Sequence, residues 1–275
     1  MITPRNRKFD LSSSLAGVWH SNDIFKTVLS NALSIPLPSG EKLFVESIRI
    51  FMDKIKDKKL FEDARLFIAQ ESIHRREHQA YNEALCSAKN YNLRMLEMPY
   101  ASHNTHAIAH YDPKMLLAIT VCMEHATASI SENVICNKVW LEGVDETMKD
   151  FWSWHALEEI EHRAVAFDIY NEIYGDKNYL DDVMKVTIKQ LIRNISFTAC
   201  QMFSMEKLNP LDMRRWLRES PFLVGVDGII HPLSNSINAF YCKSFSPSTF
   251  IDFNKIEGSY SSIKNLSAST ILRQK

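Results

Sequence analysis

Glycine is scarce in this chain, seven residues among 275, and turn signals are correspondingly few, which argues against a fold of many short strands. No stretch reaches ~18 uninterrupted apolar residues, so a conventional membrane-spanning helix is excluded. Neither sign of charge is in surplus: with a formal net charge of −1 and a pI near 6.8, there is no electrostatic footprint for nucleic acid or for an anionic membrane. The five cysteines (Cys86, Cys122, Cys136, Cys200, Cys242) contain no C-x-x-C pair, three of them sit in apolar helical surroundings, and they read as reduced core thiols of a cytoplasmic protein. Residues 1–10 are basic and polar with no apolar run behind them, unlike a secretory signal. No repeat of 20 to 50 residues is visible.

What is present is helical periodicity, in a chain that is 45% hydrophobic and long enough to bury a sizeable core. Ala64, Phe67, Glu71, His74, His78, Tyr81 and Leu85 recur at spacings of three and four, one stripe of one helix. The stripe is apolar at its ends and carries a carboxylate and two imidazoles at its middle. Met148, Trp152, His155, Glu159, His162, Ala166, Ile169 and Ile173 repeat the pattern. Burying an unpaired carboxylate costs several kcal/mol, so two core-facing Glu-x-x-His stripes require something to neutralise them. A metal pair does so, in the arrangement where two helices each give Glu-x-x-His and two others each give one Glu.

The two single glutamates are Glu41 and Glu124. Phe44, Ile48, Phe51 and Ile55 define the inward face of a helix expected over 41–55, with Glu41 at its edge in the first turn and Glu46 nearly opposite. Glu124 and His125 are the only ionisable residues in the apolar run 115–131, and small residues flank Glu124. His125, about 100° around from Glu124, reads as a supporting or packing residue. The predicted metal ligands are therefore Glu41, Glu71, His74, Glu124, Glu159 and His162. Glu158, about 100° from Glu159, competes with it if the register is off by one. His78 and His155 lie one turn away on the two stripes, either as further ligands or as groups that orient a ligand, and are candidates for moving protons in catalysis. Four carboxylates balance the charge of two divalent ions, and a carboxylate-rich set suits iron, with manganese or zinc as alternatives.

The expected fold is all-α: a four-helix bundle with a dinuclear centre over 19–175, preceded by an irregular polar lead-in over 1–18. Additional C-terminal helices over 176–257 and a mobile tail over 258–275 follow. Within the bundle, Ser21 or Asn22 is expected to cap a helix ending near Ser34, and Pro36, Pro38 and Gly40 to break the chain after it. Residues 90–111, with Pro99, His103, His106 and His110, read as a polar surface connection rather than a zinc site, and 145–174 as one helix ended by Gly175.

The chain also resembles the ferritin-like proteins known as predicted metal-dependent hydrolases. The likeness rests on Trp19-His20-Ser21, Pro38-Ser39-Gly40-Glu41, Gln70-Glu71-Ser72-Ile73-His74 with Glu77-His78 and Tyr81-Asn82, and the run from Trp154 to His162 with Ala164 to Asp168. It covers about residues 17–245. Where the family tends to have Phe-His-Pro, this chain has Phe245-Ser246-Pro247. The resemblance implies hydrolysis, while the broader likeness to two-iron ferritin-like proteins implies oxygen chemistry.

Three functions compete at this point. The leading one is a di-iron oxidase or oxygenase that uses O2 on a small, apolar organic substrate. The second is a dinuclear metal-dependent hydrolase, disfavoured by a lack of inward basic residues for a phosphate. The third is a ferroxidase or iron-binding protein, for which the long region after Gly175 is a poor fit to a cage subunit. Exposed apolar surface in that region suits a homodimer.

Overall fold

The computed structural model describes residues 1–250, and among them the regular structure is helical, with no strand beyond one isolated bridge between His20 and Val144. Residues 1–11 have no regular structure, yet Ile2, Arg7 and Leu11 are buried, so the lead-in is packed down on the bundle. A short helix α1 (Ser12–Ala16) follows, then α2 (Ile24–Ser34). The cap of α2 is Asp23, which accepts from the amides of Phe25 and Lys26, whereas Ser21 and Asn22 take left-handed conformations and turn the chain into it.

Helix α3 (Leu37–Arg49) begins where a break was expected. Pro36 and Pro38 flank its first residue, where a missing amide proton costs nothing, so the prolines start the helix. Glu41 consequently sits one turn in. Helix α4 (Lys58–Lys89) is capped by Asp57 and closed by Asn90 in the left-handed region. Residues 93–110, expected as a connection, form helix α5 (Leu93–His110), capped by Asn92, with Leu96, Tyr100 and Ala107 buried. Pro99 is tolerated inside it because Pro99 and Met95 are both exposed, so the carbonyl deprived of its partner faces water.

Helix α6 (Pro113–Cys136) carries the apolar run, and a turn of helix α7 (Lys138–Leu141) leads to α8 (Glu146–His162) and α9 (Val165–Ile173). The expected single helix over 145–174 is thus two, interrupted at Arg163 and Ala164. There the Arg163 guanidinium turns back to the Ile160 carbonyl at 2.6 Å and also holds the Pro247 and Ser248 carbonyls. Gly175, with φ of +59°, ends α9 by bonding back to the Tyr170 carbonyl. Helices α10 (Lys177–Met205), α11 (Pro210–Glu219), α12 (Pro221–Val224) and α13 (Ile230–Phe240) then cover the bundle.

Four helices form the bundle: α3 packs on α4, α6 on α8, and the pairs close through α3 against α6 and α4 against α8. Two apolar clusters result. One gathers Tyr81, Leu85, Phe151, Trp154 and Leu157, and the other Phe44, Ile48, Phe67, Leu117, Val121 and Ile169. The middle turns of α4 and α8 lie between them. No helix of the described residues is long and apolar enough to cross a membrane. Cys86 and Cys122 are buried, while Cys136, Cys200 and Cys242 are exposed rather than in the core. The stretch expected as a tail lies outside the described residues.

Candidate metal centre

Each bundle helix contributes to one buried polar cluster. Glu41 comes from α3, Glu71, His74 and His78 from α4, Glu124 from α6, and His155, Glu159 and His162 from α8, and all eight are buried. Glu46, on the opposite side of α3, pairs with Arg49 at 2.8 Å at the surface. Among the described residues, four groups of three have donor atoms close enough to share a cation: Glu41–Glu71–His74, Glu71–Glu124–His162, His74–His155–Glu159 and Glu41–His78–His155.

The imidazoles are aimed by their outer nitrogens. His74 turns Nε2 to Glu158 at 3.1 Å, which leaves Nδ1 facing Glu71 and Glu159, each at 3.4 Å. His162 turns Nδ1 to the side-chain oxygen of Gln70 at 3.0 Å and faces Glu124 (3.2 Å), Glu71 (3.3 Å) and Glu159 (3.6 Å) with Nε2. Metal-ligating histidines are held this way, with the far N–H donated to a carboxylate or carbonyl. Glu158 is itself held by Arg5 and by the Trp154 indole N–H at 3.2 Å, and Gln70 donates to Glu161, whose other oxygen takes Arg5 at 2.7 Å.

The inner atoms have no hydrogen-bond partner. Both oxygens of Glu41, Glu71 and Glu124, Oε2 of Glu159, Nδ1 of His74 and Nε2 of His162 are buried and unsatisfied. Burial drives the Glu41 carboxyl well up, with Glu71 adding to it, and raises Glu71 in the same way. Burial pushes Glu124 up to about 8 against the pull of His162. Glu159 also meets the cost of burial, but His162 and His74 outweigh it and hold the carboxyl well below its ordinary value. Burial opposes charge on His74 and His162 too, yet Glu158 and Glu159 raise the first well above the ordinary imidazole value, and Glu124 and Glu159 the second. Protons and cations therefore compete for one set of oxygens and nitrogens, and orphaned carboxylates beside aimed imidazoles fit divalent metal ions.

Other residues fall elsewhere. His125 reaches α13, where its Nε2 lies 3.0 Å from the Ser236 carbonyl and its ring packs on Phe240. His103, His106 and His110 are exposed along α5, on a helix rather than a loop. Glu158 belongs to none of the four groups and meets His74 Nε2 from outside them. Its part, and that of Arg5, depends on how the lead-in crosses α8, which no periodicity reveals; the Trp154–Glu158 spacing of four was the one available signal. Glu158→Ala should lower metal affinity about 10- to 100-fold. Because Arg5 keeps Glu161 but the buried Trp154 indole N–H and His74 Nε2 lose their acceptor, it should also cost about 2 kcal/mol of stability. Metal titration and urea melts of the same variant check both.

Comparison with curated proteins and with solved structures gives no match. Residues 3–250 match the model of a family described as predicted metal-dependent hydrolases, and with nine-tenths of its length inside that match and a buried Glu/His cluster at its centre, the chain belongs to that family.

Proposed function

We propose that the protein is a hydrolase that works with two divalent metal ions. The observation that carries the dinuclear reading is that Glu71 is the one residue shared by the groups Glu41–Glu71–His74 and Glu71–Glu124–His162, and no other residue of the second recurs in the rest, so one carboxylate would serve two cations. When bound, such a pair supplies a water of lowered pKa and polarises a carbonyl or phosphoryl oxygen. Glu41 and Glu124 close the two ends, and Glu159, lying between His74 and His162, completes the charge balance. Trp154 and Phe67 pack edge-on against His74 and His162, fixing the rings and keeping bulk water away.

A cleft of about 210 Å³ lies between α3, α4 and α5. Lys42, next in sequence to Glu41, and Arg75, next to His74, line it together with Gln79, Glu97 and Asn104. Lys42 and Arg75 are exposed and turned about 100° around their helices from Glu41 and His74, and none of the eight cluster residues lines the cleft, so it does not bear on the reaction at the metals. His78 and His155 face each other at 3.2 Å, which suits them to supporting the centre rather than to acid–base work on a substrate.

Oxidation by two irons is the second reading, favoured by a donor set of carboxylates and imidazoles without thiolate. The deciting experiment is turnover of ester and amide panels by the manganese-, zinc- or iron-loaded protein with and without O2. Hydrolysis at equal rates under strict anaerobiosis is expected. Product formation only with matching O2 consumption would replace this reading by the oxidative one.

A further inference from the structure

The sequence leaves the roles of His78 and His155 open, and a buried chain of hydrogen bonds resolves them. It starts at Asn82 on α4. The amide nitrogen of Asn82 faces three oxygens, the carbonyls of Ser34 (3.3 Å) and Ile35 (3.5 Å) and Glu97 Oε1 (3.1 Å). A flipped amide would set its oxygen against all three, so Oδ1 must be the atom that faces the Ser34 hydroxyl at 2.8 Å. Ser34 has one proton and gives it to Asn82. Its lone pair therefore takes the Nδ1–H of His78 at 2.9 Å. With its proton on Nδ1, a neutral His78 offers Nε2 as an acceptor, and the Nδ1–H of His155 fills it at 3.2 Å. What remains on His155 is the bare lone pair of Nε2, and it points at Glu159 Oε1, 3.6 Å away.

A lone pair aimed at a carboxylate is repulsive unless a proton or a cation lies between them, and 3.6 Å is too long for a protonated Glu159 to donate across the gap. The reverse polarity would need a charged His78 among the rings of Tyr81, Phe151 and Trp152, and a His155 Nε2–H donating over 3.6 Å, too long for a hydrogen bond. The donor atoms of His155, His74 and Glu159 lie within 4.8 Å of one another.

We propose that His155 is a third imidazole ligand, binding through Nε2, and that Asn82, Ser34 and His78 are positioning residues that hold it in the tautomer able to do so. The inference rests on the dinuclear reading and deepens it. It makes the two metals unlike: the one beside Glu41 has two imidazoles, His74 and His155, and the one beside Glu124 has only His162. His78 is then no ligand, because its inner nitrogen already receives the His155 proton.

Cobalt(II) titration of the metal-stripped, full-length protein tests this by proton NMR, since each ligating imidazole carries its remaining N–H as a strongly shifted, exchangeable resonance. Three such resonances are expected at two cobalts per chain, from His74, His155 and His162. His155→Phe should remove one and weaken one cobalt site alone, by 10-fold or more. Ser34→Ala should move the His155 resonance and weaken that same site about 10-fold. Two resonances from a wild-type protein holding two cobalts would overturn the proposal without any variant. Equal weakening of both sites by Ser34→Ala would overturn the positioning role. Failure of the wild type to take up two cobalts would instead strike at the dinuclear reading itself.

Discussion

Glu71→Gln is expected to reduce metal binding from two ions per chain to one or none while leaving the fold intact. Glu71 is the residue shared by the candidate groups Glu41–Glu71–His74 and Glu71–Glu124–His162, so under the dinuclear reading its charge would be lost to two cations at once. The amide preserves its volume in a site with no exposed surface, and no hydrogen bond to a neighbour is broken, since both of its oxygens are unsatisfied. The affinity loss should exceed the roughly 10- to 100-fold that follows removal of a mere supporting contact. Metal analysis after equilibrium dialysis measures the stoichiometry, and circular dichroism the fold. Glu46→Gln, on the outer face of the helix that carries Glu41, is the matched control and should bind both ions. Two ions retained by Glu71→Gln at unchanged affinity would remove the basis for a bridging carboxylate.

Much of this site is legible in the sequence because a helix presents a period. The Glu-x-x-His spacing on stripes that are otherwise apolar puts Glu71 and His74, and Glu159 and His162, on core faces. The same reasoning separates Glu41 from Glu46. It does not reach residues whose roles depend on other elements. Glu158 is one residue from Glu159 and turns to a different neighbour, and Gln70 stands beside Glu71 in the same relation, so each supports a histidine on the opposite helix. Arg5 lies in a segment with no period at all. Helix α5 was hidden for another reason: its proline and three histidines look like a connection, and only its exposed back and its packing on α3 show why they are tolerated. The interruption after His162 is equally silent, since Arg163 and Ala164 are ordinary helix formers and the Arg163 side chain reaches carbonyls 84 and 85 residues away.

Metal loading should raise the melting temperature by an amount that grows with pH. In the metal-stripped protein, Glu124 is shifted from 4.5 to about 8, so the folded state binds its proton more tightly than the unfolded chain, and stability falls as pH rises through that window. Glu41 and Glu71 are raised by the same burial and act in the same direction. His74 and His162, raised by their carboxylate neighbours, contribute stability that is complete below 6.5 and is lost as pH climbs through their folded values. Glu159 is the one depressed carboxylate of the cluster, and its contribution is lost only as pH falls below 4.5 toward its folded value. His20, His78, His125 and His155, lowered by burial, act the other way and add stability as pH rises to about 6.5, after which they change little. Between pH 6.5 and 8 the stripped protein should therefore weaken steadily. The loaded protein should not, because cations require the deprotonated carboxylates and neutral imidazoles that rising pH supplies. At metal concentrations ~1,000 times the dissociation constant each site adds about 4 kcal/mol. At roughly 2–4 °C per kcal/mol for a chain of this size, the gap near pH 8 should reach about 10 °C or more. Thermal melts with manganese and with a chelator at several pH values measure it. A gap that stays constant with pH would mean that the ions do not displace these protons and bind elsewhere on the protein.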